Sequence, residues 1–508
     1  MSELERQRQA NIERNKELLR QLELAGMSQN LVDDVKKQAK KPTKPRTKVK
    51  REPKEAPEIV PRRKSRRLEG KKAEFDQVLD EQRVKLEQEE EQRQRERDRV
   101  EGEIKLKDVV KKGDWESAIN LLSDLGSKVS QGDYFDIVAR TNDAEPDIKK
   151  AREELSNLSL FEDFDPSGVK ITQERVLYAG LHPVADKAIV LAGDKYGELG
   201  IWDSSGSIEG EQGEDDEEPE KLPSISSFKT HSRGIAKIAI HQSRPQSVYT
   251  ASYDGSIRCL DLATQSSTEA LVIDSDPRNP LGVSDVHLPN PNLIYYTTLE
   301  GGFGTQDLRT KGKHSQYQLH EKKIGGFGYN PSKDTQIVTA SLDRTFKVWD
   351  LRYVKKDPES HSMVPHLYGQ FESRLSVSCA DWNSAGQIVV NGYDDRINIL
   401  DFTNAPKWDE STSFDEPFKP QYSIKHNCQT GRWVSILKSR WHAHPEDNIQ
   451  KFVIANMSRF IDVYSSTGQQ LAHLGHELMT AVPAATSFHP SRNWLVGVSA
   501  SGKAYLWT

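Results

Sequence analysis

The feature that most constrains this chain is a strand motif that recurs seven times between residues 197 and 508. In each copy, a glycine or a polar turn residue leads into a short strand that closes on a polar or Trp-Asp end. Consecutive ends lie 58, 46, 43, 51, 64 and 43 residues apart, and the shortest intervals match the period of about 40–45 residues that is typical of β-propeller blades. Such units bury their hydrophobic faces only against one another, so seven copies predict one closed ring. The copies are Gly197–Asp203, Gly255–Asp261, Gly302–Asp307, Arg344–Asp350, Asp395–Asp401, Arg459–Ser465 and Gly502–Thr508.

A second pattern in the same units predicts how each blade is fixed. An aspartate precedes the last strand of four units, and a histidine precedes the first strand of three, where WD repeats place a hydrogen-bonded His–Asp network. We therefore expect a structural role for these side chains. Residues 161–508 are predicted to form a seven-bladed WD40 β-propeller of the all-β class. The aspartates are Asp194, Asp254, Asp343 and Asp394, and the histidines are His231, His320 and His476.

Closure of this ring requires a strand from another part of the chain. Thr508 follows immediately after the third strand of the seventh unit, which leaves a four-stranded blade without its outer strand. We expect a strand near Gly168–Thr172 to fill that position. Closure removes exposed sheet edges, and for that reason the fold tolerates insertions between its strands.

The residues before the repeats predict a largely disordered or helical basic extension. Residues 1–30 are predicted to contain a short helix that serves as a docking segment. Residues 31–72 form a proline-interrupted disordered arm, in which Lys36–Lys72 holds 17 Lys/Arg against four Asp/Glu. Basic clusters of this kind act as nuclear import signals or as tails that neutralise phosphates, so we expect a nuclear protein.

Two further segments have distinctive charge patterns. Residues 73–160 are rich in Glu, Arg and Gln, and they predict a charged helical and linker region. Within it, residues 115–122 predict a short amphipathic helix that packs on the folded domain. Residues 207–221 form a strongly acidic insert in the first repeat, which we expect to stay solvated.

Composition and motifs disfavour membrane proteins and enzymes. No apolar run approaches the length of about 18 residues that spans a bilayer. Cys259, Cys379 and Cys428 are far apart and form no CxxC pair, which disfavours a metal site or a disulfide framework. Neither a nucleophile–base motif nor a phosphate-binding loop is present, so we expect a non-enzymatic protein without a cofactor. A self-closed ring also makes a monomer the default.

Four segments resemble a known family. Arg8–Leu22, Pro61–Gly70, Thr339–Arg352 and Thr430–Ser435 resemble the fungal "changed mutation rate" family of DNA-damage-binding WD-repeat proteins. That family is similar in turn to the smaller subunit of the vertebrate damaged-DNA-binding complex. The resemblance covers nearly the whole chain, and it implies nuclear location, DNA binding and a role in genome maintenance and DNA repair.

Several basic residues are expected on the propeller face that would bind DNA. The loops before each first strand and the turns that carry the aspartates emerge on one face of a WD propeller. Lysine and arginine there would neutralise phosphates without reading base sequence. The candidates are Arg175, Lys195, Arg233, Lys322 and Lys323.

The segment His426–Trp433 is the strongest candidate for base contact. It precedes the sixth unit, and Gly431 would permit a tight turn. In the vertebrate relative, the corresponding hairpin inserts side chains at a lesion, where unstacking costs little. This chain departs from that relative's aromatic-Gln-His tip, so lesion insertion is a weaker expectation than DNA contact. Alternatively, Trp433 packs between blades. The candidate residues are Asn427, Gln429, Arg432 and Trp433.

The opposite face carries a different signal. Asp350 with Arg352, and Asp307 with Arg309, match the ends of propellers that act as cullin-4 ubiquitin-ligase receptors. An arginine there could contact an adaptor carboxylate in bidentate fashion. Three hypotheses therefore stand: a propeller that binds DNA or chromatin, a substrate receptor of such a ligase, and a scaffold for histones or repair factors.

Overall fold

The chain is described by a computed structural model. The helix expected in residues 1–30 and the basic arm 31–72 lie outside the described residues, as do most of the acidic insert and Arg432. The described residues are 103–112, 115, 118–120, 122, 145–209, 221–273, 281–310, 314–357, 361–431 and 433–508.

Seven antiparallel sheets form the blades of a propeller, which confirms the predicted fold. Two short strands, β1 (Ile104–Lys105) and β2 (Val110–Lys112), come first in the chain, followed by the helix α1 (Glu145–Ser156). Blade 1 contains β3 (Val176–Leu181), β4 (Ile189–Asp194), β5 (Glu198–Glu209) and β6 (Lys221–Lys229). Blade 2 contains β7 (Ile235–Ile240), β8 (Ser247–Ser252), β9 (Ser256–Asp261) and β10 (Ser266–Val272). Blade 3 contains β11 (Val283–Asn290), β12 (Leu293–Thr298), β13 (Gly302–Asp307) and β14 (His314–Gln318).

The other four blades follow the same order. Blade 4 contains β15 (Ile324–Asn330), β16 (Lys333–Ser341), β17 (Thr345–Lys356) and β18 (Met363–Glu372). Blade 5 contains β19 (Val377–Trp382), β20 (Gln387–Gly392), β21 (Arg396–Asp401) and β22 (Tyr422–Lys425). Blade 6 contains β23 (Arg440–Trp441), β24 (Lys451–Asn456), β25 (Phe460–Ser465) and β26 (Gln470–Leu474). Blade 7 contains β27 (Ala485–Phe488), β28 (Leu495–Val498) and β29 (Ala504–Trp507). Short 3₁₀ helices cover Leu106–Val109 and Ala405–Lys407.

The hydrophobic core is divided among the joints between blades. The described residues form seven clusters of buried apolar side chains, and each lies between two neighbouring sheets. Strands that are covered on both faces carry continuous apolar runs, as in β4, in which all six residues are buried. The first strand of each blade contacts the first strand of the next, from β3 round to β27 and back to β3. These first strands therefore enclose the propeller axis.

The ring is closed by the segment before β3, at two places along the outer edge of β29. Phe161 donates its backbone N–H to the Leu506 carbonyl (2.8 Å), and Ile171 donates to the Gly502 carbonyl (2.9 Å). The predicted segment Gly168–Thr172 does reach this edge, but through the single bridge Lys170–Lys503 rather than as a continuous strand.

A local turn explains why the closing segment is interrupted. Asp165 accepts the N–H of Ser167 on its side chain (2.9 Å) and the N–H of Gly168 on its carbonyl (2.8 Å). Pro166 lies inside this turn and has no N–H to offer a ladder. Close approach at the joint also requires Gly502, which has φ +83° and whose Cβ, if present, would collide with the Thr172 carbonyl.

Part of the predicted linker region belongs to the propeller. β1 pairs with β10 on blade 2, and β2 pairs with β6 on blade 1, so both blades gain an outer strand where the sequence predicted charged helix. Ile104 and Leu106 are buried. Because β1 has only two residues and Leu106 already begins a 3₁₀ helix, the sequence shows no apolar alternation long enough to indicate a strand.

Two helical segments also pack on the ring. Ala118 and Leu122 are buried in the core between blades 1 and 2, with Trp115 packed against them, which confirms the predicted amphipathic helix. The helix α1 lies within residues 73–160, which the sequence predicted as a helical and linker region. Its Ile148 and Leu155 are buried against blades 6 and 7, a packing contact that the sequence analysis did not predict.

Two of the predicted His–Asp networks are present. His231 Nδ1 lies 3.0 Å from the Asp254 carboxylate, and its Nε2 lies 2.8 Å from the Thr250 hydroxyl. In blade 4, His320 lies 2.7 Å from Asp343 in the same arrangement. Each histidine ties the loop before a first strand to the turn between the second and third strands of its blade.

The prediction for His476 is wrong. Its Nε2 lies 3.2 Å from Glu162 Oε1, and its Nδ1 accepts the N–H of Leu478. The turn of blade 7 offers no carboxylate to it, because Ser501 stands where blades 2 and 4 have Asp254 and Asp343.

A second set of buried histidines joins neighbouring blades on the other side of the ring. Each donates its Nε2–H to a backbone carbonyl of the next blade. In His182 and His489 the Nδ1 also accepts a backbone N–H, from Val184 and Arg492, which requires a neutral ring. Burial lowers the pKa of His442 to about 3 and that of His489 to about 4. The pairs are His182 to Pro245 O (2.9 Å), His442 to Arg492 O (2.9 Å) and His489 to Val184 O (3.0 Å).

These histidines predict loss of stability in mild acid. The unfolded chain takes up protons near pH 6.5 while folded His442 and His489 do not, so the free energy of unfolding should fall as pH drops from about 6.5 to about 4. Denaturant unfolding followed over this range should show a shallower slope for His489→Gln, whose side-chain amide can still donate to the Val184 carbonyl. An unchanged slope in both His489→Gln and His442→Gln would contradict this assignment.

Candidate nucleic-acid interface

Loops and turns of successive blades meet on one face of the ring, which we call the upper face. It consists of the loops before each first strand and the turns between second and third strands. Hydrogen bonds tie the two kinds of segment together, as between Lys195 N–H and the Arg175 carbonyl (2.9 Å) and between Leu342 N–H and the Lys323 carbonyl (3.0 Å). All the sequence-predicted DNA-binding residues that the structure describes lie in these segments.

Three of the predicted cations are partly engaged within the protein. Lys195 Nζ lies 3.1 Å from Glu174 Oε2 and 4.5 Å from the Tyr196 ring centre. The other two converge on one tyrosine: Arg233 Nη1 donates to the Tyr253 carbonyl (3.1 Å), and Lys323 Nζ donates to the Tyr253 hydroxyl (3.0 Å).

The Tyr253 contacts place a rigid positive charge on the upper face. Although burial opposes the change, the ammonium groups of Lys323 and Lys438 lower the pKa of Tyr253. Arg175 is half-buried, whereas Lys322 is exposed. Of the five cations that the sequence singled out, Lys322 therefore extends furthest towards a ligand.

The loop before β23, residues 426–439, crosses the propeller axis. Near its start, the Cys428 N–H binds Asp395 Oδ1 of blade 5 (3.1 Å). Ser435 Oγ donates to the Val176 carbonyl of blade 1, and Lys438 Nζ donates to the Gly325 carbonyl of blade 4 (2.6 Å). A segment that reaches blades 1, 4 and 5 from blade 6 must cover the upper end of the central channel.

Trp433 projects from this loop into solvent. Its side chain is 86% exposed, so the alternative in which it packs between blades is wrong. Gly431 has φ +62°, as expected for the tight turn. Asn427 Oδ1 accepts the N–H of Gln429 (3.1 Å), and the Gln429 amide donates to the Tyr393 carbonyl and to Asp395 Oδ2. Asn427 and Gln429 therefore stabilise the conformation of the loop, and the loop exposes the Trp433 indole to a ligand.

Sequence reasoning missed three exposed arginines on the upper face. Arg344 and Arg459 occupy the left-handed position of their turns, with φ +77° and +70°, where four other blades have glycine. A non-glycine residue there is strained by about 1–2 kcal/mol, and strained positions of this kind are frequent at functional sites. The signal was present in the sequence, because Asp343-Arg344 aligns with Asp254-Gly255. The third arginine, Arg374, lies in the loop before β19.

The opposite face carries the predicted Asp–Arg pairs, but each arginine holds its own aspartate. Arg309 Nε and Nη2 donate to the Asp307 carboxylate (2.9 and 2.6 Å), and Arg352 does the same with Asp350 (3.0 and 2.7 Å). Arg352 also lies 3.5 Å from the Trp408 carbonyl, and its side chain is 37% exposed against 72% for Arg309. The bidentate geometry expected for an adaptor carboxylate is thus already made within the chain.

Some other kinds of site are not formed by the described residues. In that part of the chain, no group of three or more His, Cys, Asp or Glu side chains could hold a metal ion. No described helix has the length and apolar character needed to cross a membrane. Cys259, Cys379 and Cys428 are free thiols.

Comparison with known proteins agrees with this architecture. The family model "WD domain, G-beta repeat" matches residues 222–261 and 313–350. The chain is 42% identical to the "DNA damage-binding protein CMR1" of Scheffersomyces stipitis, covering 100% of this chain and 99% of that protein. It is 40% identical to the protein of the same name from Yarrowia lipolytica, covering 100% of both. The protein of that name from Phaeosphaeria nodorum is 41% identical, with 100% of this chain and 98% of the relative covered.

The strained arginines predict an inverted order of stability among substitutions. At the left-handed position, Arg344→Gly should be more stable than Arg344→Ala by about 1 kcal/mol, because only glycine adopts this φ without steric cost. Arg374 is not among the residues with positive φ, so it serves as the control, with its glycine variant less stable than its alanine variant. Urea unfolding of the four variants measures both differences. The same order at both positions would rule out the strain.

Proposed function

Since the chain belongs to the family of fungal WD-repeat proteins named DNA damage-binding protein CMR1, we propose that it is a non-enzymatic nuclear protein that binds damaged DNA through the upper face of its propeller. Relatives over their full length carry that name, and the family supports a DNA-damage-related binding role. The choice of the upper face, and of the residues that act there, is our own proposal.

The observation that carries the proposal is the position of Trp433. An indole with 86% exposure is unusual unless it has a partner, and this one stands on a loop anchored to three other blades. Anchoring lowers the entropy cost of binding, because the loop is ordered before the ligand arrives. Stacking of a base on an aromatic ring contributes about 1–3 kcal/mol and does not depend on sequence.

A lesion would favour this contact over one with intact duplex. A base must leave the helix stack, wholly or partly, to meet an indole that stands on a protein surface. A damaged or mismatched base is already poorly stacked, so that cost is smallest there. Trp433 therefore provides a physical basis for preference for damage, whereas the surrounding cations provide affinity for any duplex.

The cations fit a phosphate-binding role by their placement. Lys322, Arg344, Arg374 and Arg459 are exposed on loops and turns of blades 4, 5 and 6, the blades that flank the loop carrying Trp433. The basic arm would add affinity of the same kind, without sequence preference.

The ligase-receptor and scaffold hypotheses remain alternatives of lower rank. The Asp307–Arg309 and Asp350–Arg352 pairs lie on the opposite face, so an adaptor bound there would not compete with DNA. Arg309, at 72% exposure, is the better placed of the two arginines for such a contact. For the scaffold hypothesis, we identify among the described residues no surface feature comparable to Arg309 that would favour binding of histones or other chromatin proteins.

Trp433→Ala should selectively weaken binding to damaged DNA. We expect affinity for a duplex with one lesion to fall by about 5- to 150-fold, the equivalent of one lost stacking contact, and affinity for intact duplex to fall much less. Fluorescence anisotropy with matched duplexes measures both. The thermal midpoint should not change, because the side chain is exposed. Tyr422→Ala, which removes an exposed aromatic from blade 5, is the control. An equal loss on both duplexes would remove the basis for lesion preference.

Loss of upper-face charge should reduce the salt dependence of binding to intact duplex. Each of Lys322→Ala, Arg344→Gly and Arg459→Gly should lower the magnitude of the slope of log K against log salt by about 0.9, the amount expected for one phosphate contact. Lys419→Ala serves as the control, because Lys419 is exposed on the long loop of blade 5. If only neutralisation of Arg62–Arg67 changes the slope, DNA contact belongs to the arm and not to the propeller.

The boundary of any shorter fragment follows from the fold. Leu106, Leu122, Ile148 and Leu155 are buried against the blades, so a propeller that starts at residue 160 would lose part of its core. A fragment intended to separate the arm from the propeller should therefore start near residue 103.

A further inference from the structure

A cavity of about 860 Å³ occupies the central channel of the propeller. Its upper end lies beneath residues 434–439, which cross from blade 6 to blades 1 and 4. Its walls are the first strands, and it extends to the loops between first and second strands, including Pro183, Pro289 and Pro490. A ligand would therefore enter from the face opposite the proposed DNA site.

The wall of this channel contains an arginine whose two terminal nitrogens donate no hydrogen bond in the described structure. Arg440 is 8% exposed, and among the described residues Nη1 and Nη2 have no hydrogen-bond partner. The nearest carboxylate oxygen, Asp285 Oδ2, is 3.9 Å away, too far for a hydrogen bond. A buried donor without an acceptor destabilises the folded protein, and the cost is larger when the group is charged.

A buried lysine in the same channel also lies too far from a carboxylate to form a hydrogen bond. Lys237 is 7% exposed, and its Nζ lies 3.9 Å from Asp285 Oδ1 and 5.0 Å from the ring centre of Tyr178. His287 Nε2 is likewise buried without a partner in the described structure, 4.0 Å from the same carboxylate. Asp285 thus stands among the side chains of Lys237, His287 and Arg440, and its Oδ2 is also without a hydrogen-bond partner in the described structure.

Three basic and two acidic side chains are buried or half-buried around this point. Lys237, Lys438 and Arg440 surround Asp285 and lower its pKa against the opposing effect of burial. The second carboxylate, that of Asp381, accepts hydrogen bonds from the backbone N–H groups of Trp382 (3.2 Å) and Trp441 (3.0 Å). Burial raises the pKa of Asp381.

Burial lowers the pKa of Lys237, and it lowers that of Lys438 to about 8. The pKa of Arg440 is instead raised, because Cys379 and the two carboxylates outweigh burial, so this guanidinium keeps its charge. A buried charge is stable only with a counterion or with hydrogen-bond acceptors, and an anion beside Arg440 would also favour the protonated form of Lys237.

The rest of the cavity wall is suited to an apolar group. Trp382, Trp441 and Phe488 line it together with several prolines and aliphatic side chains. A cavity of this size holds a ligand of roughly drug or metabolite dimensions, and apolar walls with a few convergent polar groups are typical of small-molecule sites.

We propose that the central channel binds a small organic anion, whose phosphate or carboxylate group contacts Arg440 and Lys237 and whose apolar part lies against Trp382, Trp441 and Phe488. The guanidinium fork matches two oxygens of such a group, and the ammonium supplies a further donor. Residues 434–439 separate this site from Trp433, so the DNA backbone does not reach it. Water alone could bridge the same donors, and the experiment separates the two cases.

The test uses three related probes on the full chain: phenyl phosphate, inorganic phosphate and phenol. By isothermal titration calorimetry, phenyl phosphate should bind most tightly, inorganic phosphate more weakly and phenol not measurably, because both the charge and the ring are needed. Benzoate in place of phenyl phosphate distinguishes carboxylate from phosphate recognition. Lys237→Met should weaken phenyl phosphate at least about tenfold, the loss expected for a charged hydrogen bond. Lys347→Met, on the outer part of blade 4, should bind as the unsubstituted chain does.

A second measurement avoids dependence on a buried substitution. Reductive methylation of the unsubstituted chain, followed by peptide mass spectrometry, should show that phenyl phosphate protects Lys237 and leaves the exposed Lys322 reactive. Trp433→Ala should keep full phenyl phosphate affinity, so failure of the DNA proposal leaves this result unaffected. The proposal is overturned if neither phenyl phosphate nor benzoate binds at millimolar concentration, or if binding occurs without protection of Lys237.

Discussion

The structure depends on the backbone hydrogen bonds that join residues 159–171 to β29. Each of the seven cores is shared by two blades, so no blade can bury its apolar faces alone. A ring that was open between two blades would expose one apolar face of each blade to water. The outer edge of blade 7 is completed by residues 159–171, which lie more than 300 positions earlier in the chain. Its close approach requires Gly502 beneath the Thr172 carbonyl, and that contact links residues more than 300 positions apart.

Closure also separates the surfaces on which function is proposed. Because the first strands enclose the axis, every loop that precedes them emerges on the upper face and every loop that follows them emerges on the other. The loop 426–439 precedes a first strand and therefore lies on the upper face. It covers the upper end of the channel, and its Trp433 side chain points into solvent. A DNA site above and an anion site below are therefore compatible, since the same segment forms the floor of one and the roof of the other.

Much of this could be predicted from the sequence, for reasons that differ between elements. The seven third strands lie where the repeats place them, and His231 and His320 pair as expected, because each such pattern is set within one blade. The strands at Ile104 and Val110 were missed because each has only two or three residues, too few to show an alternating pattern. His476 was assigned to the wrong network because blade 7 lacks the aspartate. Arg344 and Arg459 were overlooked because a strained turn position is recognised from φ, and a repeat pattern only hints at it.

By itself, the sequence determined the number of blades, the order of their strands and the residues that end them. These properties arise from short-range periodicity, and the chain displays it directly. Only the tertiary structure decided that the Arg309 and Arg352 side chains hold their own aspartates, that Trp433 is exposed, and that Lys237, Asp285 and Arg440 meet in the channel. The last three belong to blades 2, 3 and 6 and stand at unrelated positions in the sequence. What brings them together is the closed ring, which carries one strand from every blade to a common axis.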